Sequence, residues 1–255
     1  MSEPAPELSI SIVSHGQLEL VQQLLQDIEK QCAGTSLEII LTQNIPESLS
    51  IDPTTSTLPL SVISNPQPKG FGQNHNAAFT QARGRFYCVL NPDVRLLSNP
   101  FPELLSALSD PIVGVAAPRI VDQNGKVEDS ARHFPTLTEL FGKLFGGRSA
   151  VFDGRATAEN APDWLAGMFL VFTHDVFDQL GGFDERYFLY YEDVDICMRL
   201  RLMGRQARLC GEVSAIHQAR RSSHRNLRYL YWHITSVVRY FLSSPYRQMR
   251  QNRRG

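Results

Sequence analysis

The sequence predicts an α/β fold, with one mostly parallel sheet flanked by helices and a further helix at the C-terminal end. Three observations lead there. Strand-like and helix-like patterns alternate over about the first 115 residues, as βαβ units do. Some strand-like runs, such as Arg85-Phe-Tyr-Cys-Val-Leu90, are apolar after their first residue and suit a strand buried on both faces. Polar residues fit for ligand contact follow several of these runs directly, where open parallel sheets bind ligands.

The elements follow in order. Leu8–Ser14 alternates apolar and polar residues and reads as a strand. Over 17–31, Val21, Leu24, Leu25 and Ile28 recur at helical spacing and form one apolar face. Leu37–Thr42 is a second strand, 44–59 a loop rich in Pro, Ser and Thr, and Leu60–Ser64 a third strand. Gly70-Phe-Gly72 turns into a helix expected over 73–83, followed by the strand ending at Leu90. A helix near 101–109 and a strand near 112–117 come next.

Residues 119–163 read as loops around a cleft, with Asp122-Gln-Asn-Gly125 as a turn. A strand at 167–173 and a helix at 174–180 follow. Glu192–Met203 is helical, with Gly204 as its C-cap. A long helix is expected over 222–243, where Leu227, Leu230, Tyr231, Ile234, Val238 and Phe241 share a face. No internal repeat or linker interrupts the chain. The expectation is one domain over 1–255, with a core at 8–221 and a basic helix and tail at 222–255.

The 255 residues are 42% hydrophobic and 20% charged, which excludes a disordered or fibrous chain. The net charge of -1 argues against a uniformly basic nucleic-acid binder. That sum hides a split. No acidic residue follows Glu212, whereas Arg220, Arg221, Arg225, Arg228, Arg239, Arg247, Arg250, Arg253 and Arg254 do. The tail therefore calls for an anionic partner or a solvated role. No apolar run reaches the roughly 20 residues that span a bilayer. The acidic opening Met1–Glu7 lacks a signal-peptide core, so a cytoplasmic chain with Cys32, Cys88, Cys197 and Cys210 reduced is expected.

Ser14-His15, Gln43-Asn44, Asn65–Gly72 and Asn91-Pro-Asp93 all follow strands and would share one rim. Asp93 reads either as a ligand holding Mg2+ or Mn2+ against a diphosphate or as a turn aspartate. Lys69-Gly-Phe-Gly-Gln-Asn74 lacks Walker spacing, and its glycines suit a tight turn. Glu192, Asp193 and Asp195 follow the aromatic run Tyr187-Phe-Leu-Tyr-Tyr191 and open a helix. They either complement the helix dipole or include a general base. Trp164 is core or a sugar-stacking floor, and His217 is structural or a second metal ligand.

In this order and spacing the chain resembles glycosyltransferase family two, of the GT-A fold with its single Rossmann-like sheet, and most closely a rhamnosyltransferase-like branch. Three stretches carry the resemblance: Asn65 through Gly-Phe-Gly-Gln-Asn-His-Asn76 to Asp93; Trp164-Leu-Ala-Gly167; and Gly181-Gly-Phe-Asp-Glu-Arg-Tyr-Phe-Leu-Tyr-Tyr-Glu-Asp-Val-Asp195. Ser130-Ala-Arg-His-Phe-Pro135 adds to it. The resemblance implies that Asp93 is the surviving acid of a DXD-type motif, with Asn91 in its first position, and binds Mg2+ or Mn2+ with help from His217. Asp193 would be the base on the acceptor hydroxyl, with Glu192 the alternative base or an orienting partner. Ser14, Gln43, Asn44, Asn65, Gly70, Asn74 and Trp164 would line the donor pocket.

The implied reaction is an inverting displacement on a dTDP- or UDP-sugar, with a glycan or lipid-linked acceptor, in bacterial surface-polysaccharide synthesis. Gln43 stands where the family often has an Asp that contacts the nucleobase, and a neutral amide makes no charge-assisted bond there. The alternative is a catalytically degenerate module that binds a nucleotide sugar or glycan. The tail leaves three roles open: peripheral contact with an anionic membrane, homodimer formation, or ordinary packing.

Overall fold

In the computed structural model the described residues are 5–47, 56–136, 138, 152, 161–218 and 227–252. Arg220, Arg221, Arg225, Arg253 and Arg254 of the basic tail, and much of 137–160, lie outside them.

The described chain forms β1 (Leu8–Ser14), α1 (Leu18–Gln31), β2 (Leu37–Gln43), β3 (Leu60–Ser64), α2 (Phe71–Phe79), β4 (Phe86–Leu90), β5 (Val94–Arg95) and α3 (Phe101–Ala107). There follow β6 (Val113–Val121), β7 (Ala131–Arg132), β8 (Trp164–Leu165), β9 (Phe169–Thr173) and α4 (His174–Gln179). Then come α5 (Glu192–Leu202), β10 (Gln206–His217), α6 (Leu227–Leu242) and α7 (Ser244–Asn252).

One eight-stranded sheet has the order β3-β2-β1-β4-β9-β6-β10-β5, and β7 and β8 form a small second sheet. Strands β3, β2, β1 and β4 are mutually parallel, β6 and β10 are parallel to each other, and β9 runs against both β4 and β6. The carboxyl ends of β1, β2, β3, β4, β6 and β10 therefore meet on one side, which is where an open sheet presents its ligand site.

Burial on both faces explains the strand sequences. Residues 86–90 are buried without a break. Phe86, Cys88 and Leu90 join the cluster under α1 and α3, while Tyr87 and Val89 join the opposite cluster with α4 and α5. The serines of β1 are fully buried too. Ser9 Oγ donates to Glu38 (2.7 Å) and accepts from Gly84 N (2.8 Å), and Ser11 Oγ meets His75 Nδ1 (2.8 Å). Pairing of this kind makes a buried hydroxyl tolerable.

Two differences from the sequence expectation matter for the site. Helix α2 begins at Phe71, two residues earlier than expected, because the Lys69–Gly70 backbone is itself part of its entry: Asn74 N bonds Gly70 O at 3.1 Å. The twelve-residue β10 is not legible in the sequence. Its pairing with β6 is irregular between Cys210 and Ser214, and Gly211 and Glu212 there break the apolar pattern. Its end pairs with β5, setting His217 opposite Val94. The helix expected over 222–243 is α6, with 222–226 outside the described residues, and a second helix, α7, follows Ser243 where the sequence suggested only a tail. No helix among the described residues is long and apolar enough to cross a membrane.

Candidate active site

The rim expected from the sequence forms, and it is tied together from below by asparagine amides. Asn44, Asn65 and Asn74 are buried. Asn44 clamps the Lys69 backbone from both sides, accepting from its N–H (2.8 Å) and donating to its carbonyl (2.9 Å). Asn65 donates to Asn44 (3.0 Å) and to Asn74 Oδ1 (2.6 Å), and Asn74 donates to Gly70 O (2.9 Å). These three amides therefore hold the Lys69–Gly70 turn in shape. Gly70 is needed because a Cβ there would lie 2.9 Å from Phe188 O, which also accepts from Phe71 N at 2.9 Å. The turn after β3 thus abuts the aromatic run that leads to Asp193.

At the other expected positions, Ser14 Oγ donates to Glu47, whose carboxylate also accepts from Gly16 N and Leu18 N at the start of α1. Gln43 Oε1 accepts from Ser64 Oγ at 3.1 Å. Trp164 is 7% exposed, donates from Nε1 to His133 O (3.0 Å), and has the Arg132 guanidinium 5.6 Å from its ring centroid. That is the core placement of the two alternatives.

Asp93 and His217 are brought together by the β5–β10 pairing. His217 Nε2 lies 3.4 Å from Asp93 Oδ2, and Gln218 N donates to Asp93 O at 2.9 Å. The other ring nitrogen, Nδ1, lies 2.9 Å from Glu128 Oε2. Glu128 was not legible as a site residue. It arrives through the Asp122–Gly125 turn, where Asp122 Oδ1 accepts from Asn124 N and Lys126 N and the chain doubles back to bridge Val121 to Val127. Burial draws the His217 pKa down, but hydrogen bonds and attraction from Asp93 and Glu128 outweigh it and leave the pKa raised.

Asp93 Oδ1 is buried and has no hydrogen-bond partner among the described residues. An orphaned carboxylate oxygen beside a histidine whose far nitrogen faces a carboxylate fits a divalent cation. No group of three His, Cys, Asp or Glu side chains suited to a metal occurs among the described residues. Two protein ligands suit a cation that shares its shell with substrate phosphates.

The acidic pair at the start of α5 divides sharply. Asp193 is half-buried. Its Oδ2 accepts from Gly167 N (3.1 Å) and its Oδ1 from Val194 N (2.9 Å). Burial raises its pKa, countered by these N–H groups and by Arg132. Glu192 is 5% exposed, and its Oε2 has no partner among the described residues. Burial and the adjacent Asp193 push its pKa well above the ordinary value. Both carboxyls are pushed upward by burial, Glu192 also by the charge of Asp193, while backbone donors on both oxygens of Asp193 favour its ionised form. Asp195 is bound to Arg199 (2.7 Å), which also donates to Leu180 O and Gly182 O. Its role is to fasten the Gly181–Gly182 turn to α5.

The folded state binds the Glu192 proton more tightly than the unfolded chain. Its contribution to stability is full below the unfolded pKa and is lost as pH rises through the folded one. Glu192→Gln is therefore expected to show a Tm advantage over the parent that widens with pH. A Tm difference that stays flat between about pH 5 and pH 9 would contradict this.

One short loop connects the two acidic centres. Gly167 N donates to Asp193, and the next residue's carbonyl, Met168 O, accepts from Asn91 N at 2.9 Å. Consecutive Cα atoms are about 3.8 Å apart, so Asp193 and the Asn91–Asp93 turn are held from neighbouring residues. The Trp164–Gly167 stretch thus acts through its last glycine, where a Cβ would come within 3.2 Å of Phe71 and 3.6 Å of the Asp193 Cβ.

Comparison with known proteins adds the following. The family model "Glycosyl transferase family 2" matches residues 9–172. The chain is 26% identical over 243 residues to rhamnosyltransferase WbbL of Escherichia coli, covering 91% of each. It is 36% identical over 132 residues to the N-acetylglucosaminyl-diphospho-decaprenol L-rhamnosyltransferase of Mycobacterium tuberculosis, covering 46% of this chain and 41% of that one. Among solved structures it is similar to the mannosyltransferase PcManGT from Pyrobaculum calidifontis in complex with GDP-Man and Mn2+. The TM-score is 0.60 and the identity 18%, covering 92% of this chain and 65% of that one. The fold is GT-A.

Proposed function

The chain belongs to glycosyltransferase family 2, in a rhamnosyltransferase-like branch, and from that premise we propose that it transfers a sugar, rhamnose by preference, from a dTDP- or UDP-sugar to a glycan or lipid-linked acceptor in bacterial surface-polysaccharide synthesis. The observation that carries the site assignment is the single loop whose adjacent residues hold Asp193 on one side and the Asn91–Asp93 turn on the other.

The residues divide the work. Asp193 accepts the proton of the acceptor hydroxyl as that oxygen attacks the anomeric carbon. Its two backbone donors fix the carboxylate without neutralising it. Glu192, protonated and buried, offers a donor rather than a second base beside it. Asp93 and His217 would hold Mg2+ or Mn2+ at the donor diphosphate, and the cation supplies charge stabilisation to the leaving group. Attack on the face opposite the diphosphate inverts the anomeric carbon in one displacement, with no covalent enzyme intermediate. The Lys69–Gly70 turn, shaped by Asn44, Asn65 and Asn74, forms the donor-side wall, with Ser14 and Gln43 at its base-binding end. Gln43 offers an amide where a carboxylate is usual, which shifts nucleobase choice toward neutral hydrogen bonding.

A panel of nucleotide sugars in thermal shift, with and without Mn2+, tests this reading. One donor is expected to raise Tm by about 5 °C at a hundredfold excess over Kd, and by less without the cation. No shift from any donor would overturn it. Within the same site, Glu128→Gln keeps an acceptor for His217 Nδ1 but loses the charge. It is expected to weaken Mn2+ affinity about 10–100-fold in a titration with donor present. Unchanged affinity would remove Glu128 from that role.

A further inference from the structure

Helix α6 faces the wrong way for an ordinary packed helix. Its inner side is the less apolar one. Ser236 Oγ donates to Leu189 O at 3.0 Å, Trp232 stacks on Phe188 at 4.5 Å, and Tyr240 packs against Tyr191 at 5.2 Å. Ser236 and Tyr240 are its buried residues. On the outer side, Leu227, Leu230, Tyr231, Ile234, Val238 and Leu242 are between 52% and 83% exposed. At 3.6 residues per turn these six fall within a sector of about 120°, running the length of the helix. Of the face legible in the sequence, Leu227, Leu230, Tyr231, Ile234 and Val238 thus lie in an apolar stripe that the described residues do not cover, whereas Phe241 packs against Tyr246. Contiguous exposure on this scale marks an interaction surface.

Charge identifies the occupant. Neither α6 nor α7 contains an acidic residue, and none follows Glu212 anywhere in the chain. Arg228 is exposed beside the stripe, and α7 exposes Arg247 and Arg250. Helix α7 is seated on α6 through Tyr246, whose ring lies 5.1 Å from Tyr240 and 5.0 Å from Phe241. A second copy of the chain fits poorly. A two-fold contact through the stripe would set arginines of one copy near those of the other, with no acid on either helix to offset them. An apolar stripe on a pair of helices whose charged residues are all arginine suits a surface with an apolar interior and anionic headgroups.

We propose that the outer face of α6, with the arginines of α7, docks the protein onto an anionic lipid bilayer. The apolar side chains enter the headgroup boundary and the guanidinium groups meet lipid phosphates while their stems stay on the apolar side. The inner face of the same helix grips Phe188, Leu189 and Tyr191, just before Glu192 and Asp193. Docking therefore presents the catalytic rim close to a membrane, as a lipid-linked acceptor requires. That last point rests on the proposed function, whereas vesicle binding needs neither donor nor acceptor and stands or falls separately.

The test is flotation of the full chain with vesicles of phosphatidylglycerol and phosphatidylcholine, against vesicles of phosphatidylcholine alone. Binding is expected to the anionic vesicles and to weaken as salt rises. Ile234→Glu with Val238→Glu is expected to lower it roughly tenfold or more, and Arg247→Gln with Arg250→Gln about tenfold. Both pairs are exposed, and an unchanged Tm confirms that the variants remain folded. No flotation of the parent chain, or equal flotation of the Glu variant, would overturn the proposal. So would a lipid-free dimer in sedimentation velocity that the Glu variant converts to monomer.

Discussion

Asp193→Asn is expected to reduce kcat by about 10²–10⁴-fold, the range contributed by a positioned general base. Donor affinity is expected to stay close to that of the parent, because the proposed reading puts Asp193 on the acceptor hydroxyl and makes the Lys69–Gly70 turn the donor wall. The substitution is nearly isosteric. One amide oxygen can still accept from Gly167 N, while the amide nitrogen must sit near a second backbone donor that now bonds the carboxylate. A small fall in Tm follows from that lost bond, of order 1 kcal/mol, and it is separable from the fall in turnover. The active form should show an acidic limb in its pH profile. Burial raises the Asp193 pKa, so activity is lost on acidification at a pH above that of an ordinary aspartate. Turnover by Asp193→Asn within a few-fold of the parent would transfer the base role elsewhere, with Glu192 the adjacent candidate.

Asp93→Ala is the second large effect, and it acts on the other half of the reaction. On the proposed reading, several kcal/mol of charge stabilisation at the leaving diphosphate would depend on a cation held there, which is about 10³-fold or more in kcat/KM. The cation-dependent part of the donor thermal shift should vanish in the same variant. Its effect on stability has two opposing parts: the unsatisfied Asp93 Oδ1 is removed, and His217 Nε2 loses its carboxylate partner. A variant that keeps its Mn2+ response would contradict the role given to Asp93.

Much of the sheet and rim was legible because the signals are local. The apolar run before Asn91 and the glycines at 70 and 72 each mark an element or a turn within a few residues. The ends of β1, β2, β3 and β4 then follow from topology, and with them Ser14, Asn44, Asn65 and Asp93. What was not legible depends on contacts distant in sequence. Asn44, Asn65 and Asn74 read as pocket residues, but their amides meet one another across the β2, β3 and α2 ends. Glu128 carries no spacing signal toward His217, 89 residues away, and is brought there by a hairpin. The role of Gly167 emerges only once its N–H is seen on Asp193. Periodicity in α6 identified a shared face, yet period alone does not say which side of a helix meets the core.

The acid pair shows where environment decides between chemically similar residues. Glu192 and Asp193 are adjacent and both acidic, and the sequence left both as candidate bases. Two backbone donors and partial exposure separate one from the other. A buried carboxyl with an oxygen left unpartnered is pushed toward its protonated form, and backbone donors on both oxygens favour the ionised one.

The central claim is a direct displacement driven by Asp193 across from a diphosphate held at Asp93. Its most direct test is the anomeric configuration of the product, read by NMR after transfer from the donor selected in the thermal-shift panel. The account predicts a product of opposite configuration to the donor, formed in the presence of Mg2+ or Mn2+. A product of retained configuration would contradict it, because a single displacement from the face opposite the leaving diphosphate inverts the anomeric carbon.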